Sequence, residues 1–267
     1  MDADAELANA KQAPIWSDLK NRMSFCSFVV SVLYFVKLID FFPINCMKYD
    51  LSTMRIENQL IRFGSVPLTH GTLLSVLQGY RSPNDKIAQL IADGVLLSVK
   101  RGLYVVAPAL TSSLVSMPLV ANHLYGPSYV SLEYALYFYG LIPERVVEVT
   151  SVTTRQTKRY DLPFGRFSYK HSPLKLYSVG ITRIILSDQT GFLIASPEKA
   201  LCDTLIFTKK LAVNSVHELR ECLFDDLRID EELLRGFDIR VIEACMNAGG
   251  KVKILKMFAQ IVRSCQE

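Results

Sequence analysis

The stretch from Ser65 to Val106 constrains this chain more than any other, because it sets two helical patterns and a paired strand pattern close together. Ser65-Val66-Pro67-Leu68-Thr69 leads into Leu73, Leu74, Val76 and Leu77, an apolar set at helical spacing. Gly79-Tyr80-Arg81 breaks the chain, and Ser82-Pro83-Asn84-Asp85 opens a second helix. Ser82 is placed to cap it, Pro83 suits the first helical position because its missing N–H would be unpaired there, and Asp85 completes a capping-box pattern. Ile87, Leu90 and Ile91 share one face and Gly94 follows as a stop, which leaves Asn84, Asp85, Ala88, Gln89 and Ala92 outward. Val95 to Val99 and Leu103 to Val106 then read as two strands joined by Lys100-Arg101-Gly102, a turn with two cations and a glycine.

Helix, helix and hairpin in that order predict a winged helix-turn-helix, whose second helix reads base edges while the wing touches phosphate. From Lys48 to Arg101 the cations Lys48, Arg55, Arg62, Arg81, Lys86, Lys100 and Arg101 outnumber Asp50, Glu57, Asp85 and Asp93. Asn84 and Gln89 carry amide side chains of the kind that pair bidentately with adenine in a major groove. The expected DNA contacts are Ser82, Asn84, Lys86 and Gln89 on the helix, with Lys100 and Arg101 at the wing. A module of this shape that binds only protein is the competing account, since Asp85 offsets Lys86 and the outward face is not strongly basic.

With 267 residues, 50% of them hydrophobic, the chain is long enough for two modest domains with proper cores. A formal net charge of +4 permits contact with nucleic acid without the charge density of a coat protein. Cys26, Cys46, Cys202, Cys222, Cys245 and Cys265 form no CxxC pair and no metal-ligand spacing with His70, His123, His171 or His217. Reduced thiols, no metal and no cofactor are therefore expected. Phe25 to Val36 is an uncharged apolar run preceded by Lys20 and Arg22. No small-residue cleavage site follows it, and lengthening it into a membrane span would bury Lys37 and Asp40. Translation from Met47 is the expected account of residues 1–46, with an accessory helix packed on the body and a membrane contact as alternatives. A cytoplasmic protein without a membrane partner is expected.

The expected fold is α+β: a winged domain over residues 47–107, a Ser/Thr-bearing linker over 108–118, and a mixed α/β domain over 119–267 that ends in helices. Ser128 is placed to cap an aromatic-rich helix running to Tyr139 and closed by Gly140, and Val146 to Val152 alternates as a half-buried strand. A basic stretch with Arg155, Lys158 and Arg159 follows, and Arg166 precedes strand-like residues at Phe167. Ile181 to Leu186 and Gly191 to Ile194 pattern as a hairpin, and from Ser196 onward the periodicity is helical. In Ile194 to Leu205 a strand end runs into a capped helix, with Ser196 as cap, Pro197 at the first position and Glu198 at the positive end of the dipole. Lys199 and Asp203 are four apart and can pair, while Ala200, Leu201, Thr204 and Leu205 pack inward; the pattern predicts a surface helix with one buried stripe.

From about Met47 to the C-terminus the chain resembles the AbiEi family of transcriptional regulators, the antitoxins of type IV abortive-infection toxin–antitoxin systems. Three blocks carry the resemblance: the winged pattern ending Arg101-Gly102-Leu103-Tyr104, the run from Tyr129 through Leu136 to Gly140-Leu141-Ile142-Pro143-Glu144, and Ser196-Pro197-Glu198-Lys199-Ala200-Leu201-Cys202-Asp203. Family members commonly have a small residue where Tyr134 stands, and residues 1–46 have no counterpart. The resemblance implies an N-terminal domain that binds repeats in its own promoter and a C-terminal antitoxin domain marked by Glu133, Glu198, Lys199 and Asp203. It also implies a nucleotidyltransferase-like toxin encoded alongside, counteracted without need of a stable complex. Arg155, Lys158, Arg159 and Arg166 form either a basic contact surface, for nucleic acid or an acidic partner, or a merely solvated hairpin.

Enzymatic function is disfavoured. Glu198 and Asp203 are five apart on a helix and point in different directions, and no Gly-rich phosphate loop, nucleophile elbow or HExxH is present, so no catalytic residue is expected. The alternative function is a one-component repressor with a ligand-sensing C-terminal domain. That alternative predicts DNA affinity that changes with a small molecule, whereas the antitoxin account predicts a toxin reading frame next door.

Overall fold

Three short helices and a hairpin enclose the first of two apolar cores. The computed structural model describes residues 56–64, 66–111, 114–187, 190–209, 211 and 213–267. The apolar run, the Met47 question, Lys48, Asp50, Arg55 and Ser65 lie outside the described residues. In chain order the first part runs α1 (Ile56–Ile61), β1 (Leu68–Thr69), α2 (His70–Val76), α3 (Pro83–Ala92), β2 (Leu96–Lys100) and β3 (Leu103–Val106). Thr69 caps α2 by accepting from the Thr72 N–H at 3.2 Å, and Gly94 turns the chain out of α3 at φ +70°. The strands form an antiparallel sheet in the order β1-β3-β2. The helices and the hairpin follow one another in the expected order, and Ile56, Leu60, Leu68, Leu73, Leu77, Ile87, Leu90, Leu96 and Val106 fill the core between them.

The rest of the chain is built on a six-stranded mixed sheet. Its strands are β4 (Ser128–Val130), β5 (Val149–Thr153), β6 (Lys158–Leu162), β7 (Gly165–His171), β8 (Ile181–Ser187) and β9 (Thr190–Ala195), in the order β6-β7-β5-β4-β9-β8. The β5–β7 and β4–β9 pairs are parallel and the others antiparallel. Helices α4 (Pro108–Thr111) and α5 (Met117–Leu124) precede these strands in sequence, α6 (Leu132–Phe138) lies between β4 and β5, and α7 (Leu174–Tyr177) lies between β7 and β8. After β9 come α8 (Pro197–Phe207), α9 (Val216–Glu221), a π turn (Cys222–Asp226), α10 (Glu231–Leu234), α11 (Ile239–Asn247) and α12 (Val252–Gln266).

Three local expectations change. Ser128 opens strand β4 rather than a helix, because Tyr129 and Val130 suit a pleated surface and pair with β5 and β9 on both sides. The helix starts at Leu132 with Ser131 as its cap position. Strand β5 starts at Val149 and is buried at Val149, Ser151, Val152 and Thr153, as an interior strand covered on both faces requires. Helix α5 begins at Met117, inside the segment expected to be linker. Among the described residues, no helix is long and apolar enough to cross a membrane.

The wing does not stand apart from the second half. Val99, Leu103 and Val105 belong to the larger core, with Leu119, Val120 and Leu124 of α5 and the sheet residues Tyr129 and Tyr169. Each such side chain contributes about 1.5–3 kcal/mol by leaving water. Leu103→Ala is expected to cost about 2–5 kcal/mol and to lower one common unfolding transition of the two parts. Calorimetry that resolved two transitions, only one of them shifted, would show that the wing does not couple them.

Candidate nucleic-acid interface

Helix α3 presents the face that its spacing predicts. Asn84, Asp85, Ala88, Gln89 and Ala92 are all exposed, while Ile87 and Leu90 are buried beneath them. Ser82 is exposed at the cap position and makes no side-chain bond to the helix. Lys86 is half-buried: its Nζ donates to Gln89 Oε1 at 3.2 Å and stands 5.7 Å from the Tyr80 ring centroid. The Gln89 carbonyl is thereby held along the helix.

The structure separates the two cations of the wing turn. Arg101 is exposed beside Gly102, whose φ of +82° closes the turn. The pairing of β2 with β3 skips Val99 and sets Lys100 opposite Leu103, a bulge that re-aims the end of the strand. Lys100 Nζ donates to Leu124 O at 2.6 Å and, at 3.4 Å, to His123 O, where α5 leaves its last carbonyls without helical partners. Partial burial lowers the Lys100 pKa, and the neighbouring Arg155 and Lys158 lower it further.

Of the basic stretch, Arg155 and Lys158 come together with Lys100. The Arg155 guanidinium and Lys158 Nζ each lie 5.7 Å from the Tyr125 centroid, and Lys158 Nζ lies 4.7 Å from that of Tyr160. Arg159 follows on edge strand β6 and, by strand alternation, points to the opposite face. Arg166 sits across the hairpin opposite Asp161. Cations on an exposed edge strand also discourage pairing with another chain, which accounts for Arg159 without a ligand.

The block from Ser196 to Asp203 departs most from expectation. Ser196 caps α8 by accepting from the Lys199 N–H at 3.3 Å, but every residue from Glu198 to Leu205 is buried. Helix α8 is enclosed by the sheet and by α6, α11 and α12, so the predicted surface helix is a central one. Lys199 and Asp203 do pair, at 2.7 Å, with both side chains fully shielded from water. Lys199 Nζ also donates to Leu176 O at 3.0 Å, and Asp203 Oδ2 accepts from Tyr129 Oη at 2.9 Å and Ser131 Oγ at 2.8 Å. Burial pushes the Asp203 carboxyl up, while Lys199, Ser131 and Tyr129 pull it back. Glu198 Oε1 accepts from the Asp238 N–H at 3.1 Å, whereas Glu133 stays exposed in the first turn of α6 and outside this network.

The residues that complete the network carry no mark of that role in the sequence. Tyr129 and Ser131 flank Val130 at the end of β4. Leu132 then takes φ +58°, a left-handed conformation that costs about 1–3 kcal/mol in a residue with a side chain. Thr150 holds that turn, since its Oγ1 donates to Ser131 O at 2.6 Å and accepts from the Tyr134 N–H at 3.1 Å. Gly180 (φ +62°) accepts from the Ser196 N–H at 2.8 Å, and a Cβ there would stand 2.8 Å from Lys199 Cβ. Only glycine lets the β8 entry approach the buried lysine so closely. Closed to solvent on all sides, this network fixes α8 against β4. Among the described residues, no group of three or more His, Cys, Asp or Glu side chains is placed to hold a metal ion.

No family model matches the chain, and no curated protein matches it. Among solved structures it is similar to the crystal structure of the RV2827C protein from Mycobacterium tuberculosis, with 16% identity, 77% of this chain and 80% of that chain covered, and a TM-score of 0.43.

Lys199→Met is expected to cost about 3–5 kcal/mol, because it strands a carboxylate in the core. A carboxyl whose pKa is raised on folding keeps a proton that the unfolded chain has already lost, so stability falls as pH rises through that window. The stability lost in Lys199→Met should accordingly be smaller at about pH 5 than at about pH 8. Denaturant titrations that gave the same loss at both would show that Asp203 is not the group left exposed to the penalty.

Proposed function

We propose that the chain is a DNA-binding regulator that represses its own operon and serves as the antitoxin of a type IV toxin–antitoxin pair. The observation that carries the first half is the exposed row Asn84, Ala88 and Gln89 on α3, directly after the tight turn between α2 and α3. A helix so placed enters a major groove with its first turns toward the base edges, and Asn84 and Gln89 offer the donor–acceptor pair that adenine complements. Arg101 lies at the wing turn and meets backbone phosphate, while Lys100 anchors the wing on α5 and so sets the direction of Arg101. Ser82 and Lys86 lie at the start of the same helix, within reach of the flanking phosphates.

The antitoxin half rests on the resemblance to the AbiEi family. In that account the part built around α8 counteracts a nucleotidyltransferase-like toxin encoded by the neighbouring gene, in the cytoplasm and without a stable complex. Glu198, Lys199 and Asp203 maintain the fold of that part, and Glu133, the exposed member of the signature, is the one that presents itself to a partner.

Binding to a labelled fragment of the protein's own promoter, titrated across salt, tests the DNA half. Arg101→Ala should weaken binding to every sequence and flatten the salt dependence by about 0.9 in log–log slope. Asn84→Ala should instead cost about 1–3 kcal/mol and relax preference at one base pair. Wild-type slopes and affinities in both variants would remove α3 and the wing from the interface. Expression of the full chain together with the adjacent reading frame tests the antitoxin half: growth should be rescued, and a neighbouring frame that is harmless when expressed alone would sink it.

A further inference from the structure

Where the wing meets the second sheet, three cations converge without a carboxylate. Arg155 and Lys158 share the Tyr125 ring at 5.7 Å each, and Lys100 Nζ is fastened to Leu124 O at 2.6 Å within the field of both. Among the described residues none of the three forms an ion pair. Like charges brought together in this way repel, and here the tyrosine faces and the carbonyl end of α5 hold them in place. An anion set between them would relieve the repulsion.

Beside the cluster opens a cleft of about 460 Å³, lined by Tyr125, Thr154, Arg155, Gln156 and His171. His171 is fixed at two points: its Nδ1 lies 3.0 Å from Arg155 O, and its backbone N–H donates to Thr157 Oγ1 at 3.1 Å. Nε2 is left as the ring's other polar edge. The lining thus combines a guanidinium, an imidazole, an amide, a hydroxyl and an aromatic ring, with Lys158 alongside. A planar guanidinium matches two phosphate oxygens at once, and a neighbouring ammonium adds a point charge.

We infer that this cleft binds a free nucleotide through its phosphate groups, with Arg155 and Lys158 as the anion contacts and Thr154 and Gln156 bonding the sugar or base. Arg155 and Lys158 come from the β5–β6 connection and the start of β6, and Lys100 from the wing. A bound phosphate therefore neutralises charge on both sides of the junction and tightens the wing against the second half. The DNA-reading face of α3 plays no part, so the site stands or falls independently of promoter binding.

Calorimetric titration of the full chain at low salt tests the assignment, with ATP, inorganic tripolyphosphate, adenosine and a single DNA strand of about 12 nucleotides as probes. ATP should saturate one site, tripolyphosphate should compete for it and adenosine should give no binding. The double variant Arg155→Ala/Lys158→Ala should lose about tenfold or more in ATP affinity. Lys158→Arg should keep it, and Arg166→Ala, a cation outside the cluster, should match wild type. Thermal unfolding by circular dichroism shows that each variant is folded when it is titrated. No saturable ATP binding, or equal ATP affinity in the double variant, overturns the proposal. Binding of the DNA strand that ATP cannot displace also overturns it, since the surface would then serve a nucleic-acid backbone.

Discussion

A lysine and an aspartate that are both withdrawn from water impose a condition on everything around them. Lys199 and Asp203 meet at 2.7 Å in the middle of the larger core, and neither keeps a hydration shell. Desolvation of two ions offsets most of their attraction, so the pair contributes geometry more than net stability. Its remaining hydrogen-bond capacity must be met by protein, and the partners come from separate elements: Leu176 O from α7, and Tyr129 and Ser131 from β4 and its exit turn. A shift of α8 by one turn, or of β4 by one residue, would keep the two charges together on α8 but strip them of the partners supplied by α7 and β4. The strained Leu132, the Thr150 clamp and the glycine at position 180 are the local adjustments that this arrangement demands.

How much of this was legible in the sequence follows from the range of each signal. The Ser196 cap, the Gly94 stop, the Gly102 turn and the β8–β9 hairpin depend on neighbours a few residues away, and the structure has each of them where the pattern put it, whereas Ser82 makes no side-chain cap bond. Ser128 to Val130 failed because its aromatic and polar residues fit the start of a helix as well as a strand. Only pairing with β5 and β9, distant in sequence, decides between them. Lys199 is a subtler case. A lysine four residues before an aspartate looks the same on a surface helix and on a buried one, and the local chain carries no mark of the sheet and helices that enclose it.

Of the basic residues, the sequence named all of those that converge but not the fact that they do. Arg155 and Lys158 read as either a basic contact surface or a solvated hairpin, and Lys100 as a wing-tip cation, until the fold sets the first two at the Tyr125 ring and Lys100 at the neighbouring Leu124 carbonyl. Arg159 and Arg166 lie in the same stretch and stay outside, one because strand alternation turns it away and the other because it faces Asp161. Composition in a window does not distinguish these fates; the pleat and the register do.

The wing shows how one turn serves two directions. In an unbroken strand pair Lys100 and Arg101 would both project from the tip, as the sequence suggests. The bulge at Val99 instead buries that residue at 2% exposure and carries Lys100 onto the end of α5, while the tip leaves Arg101 exposed. Val99, Leu103 and Val105 extend the same contact through apolar packing with the second half. Two neighbouring cations of one turn thus differ in their attachment: Lys100 is bonded to the end of α5 and Arg101 is not. Loss of Lys100 removes an anchor from the junction, whereas loss of Arg101 removes only an exposed charge, and the two substitutions act at different points of the same turn.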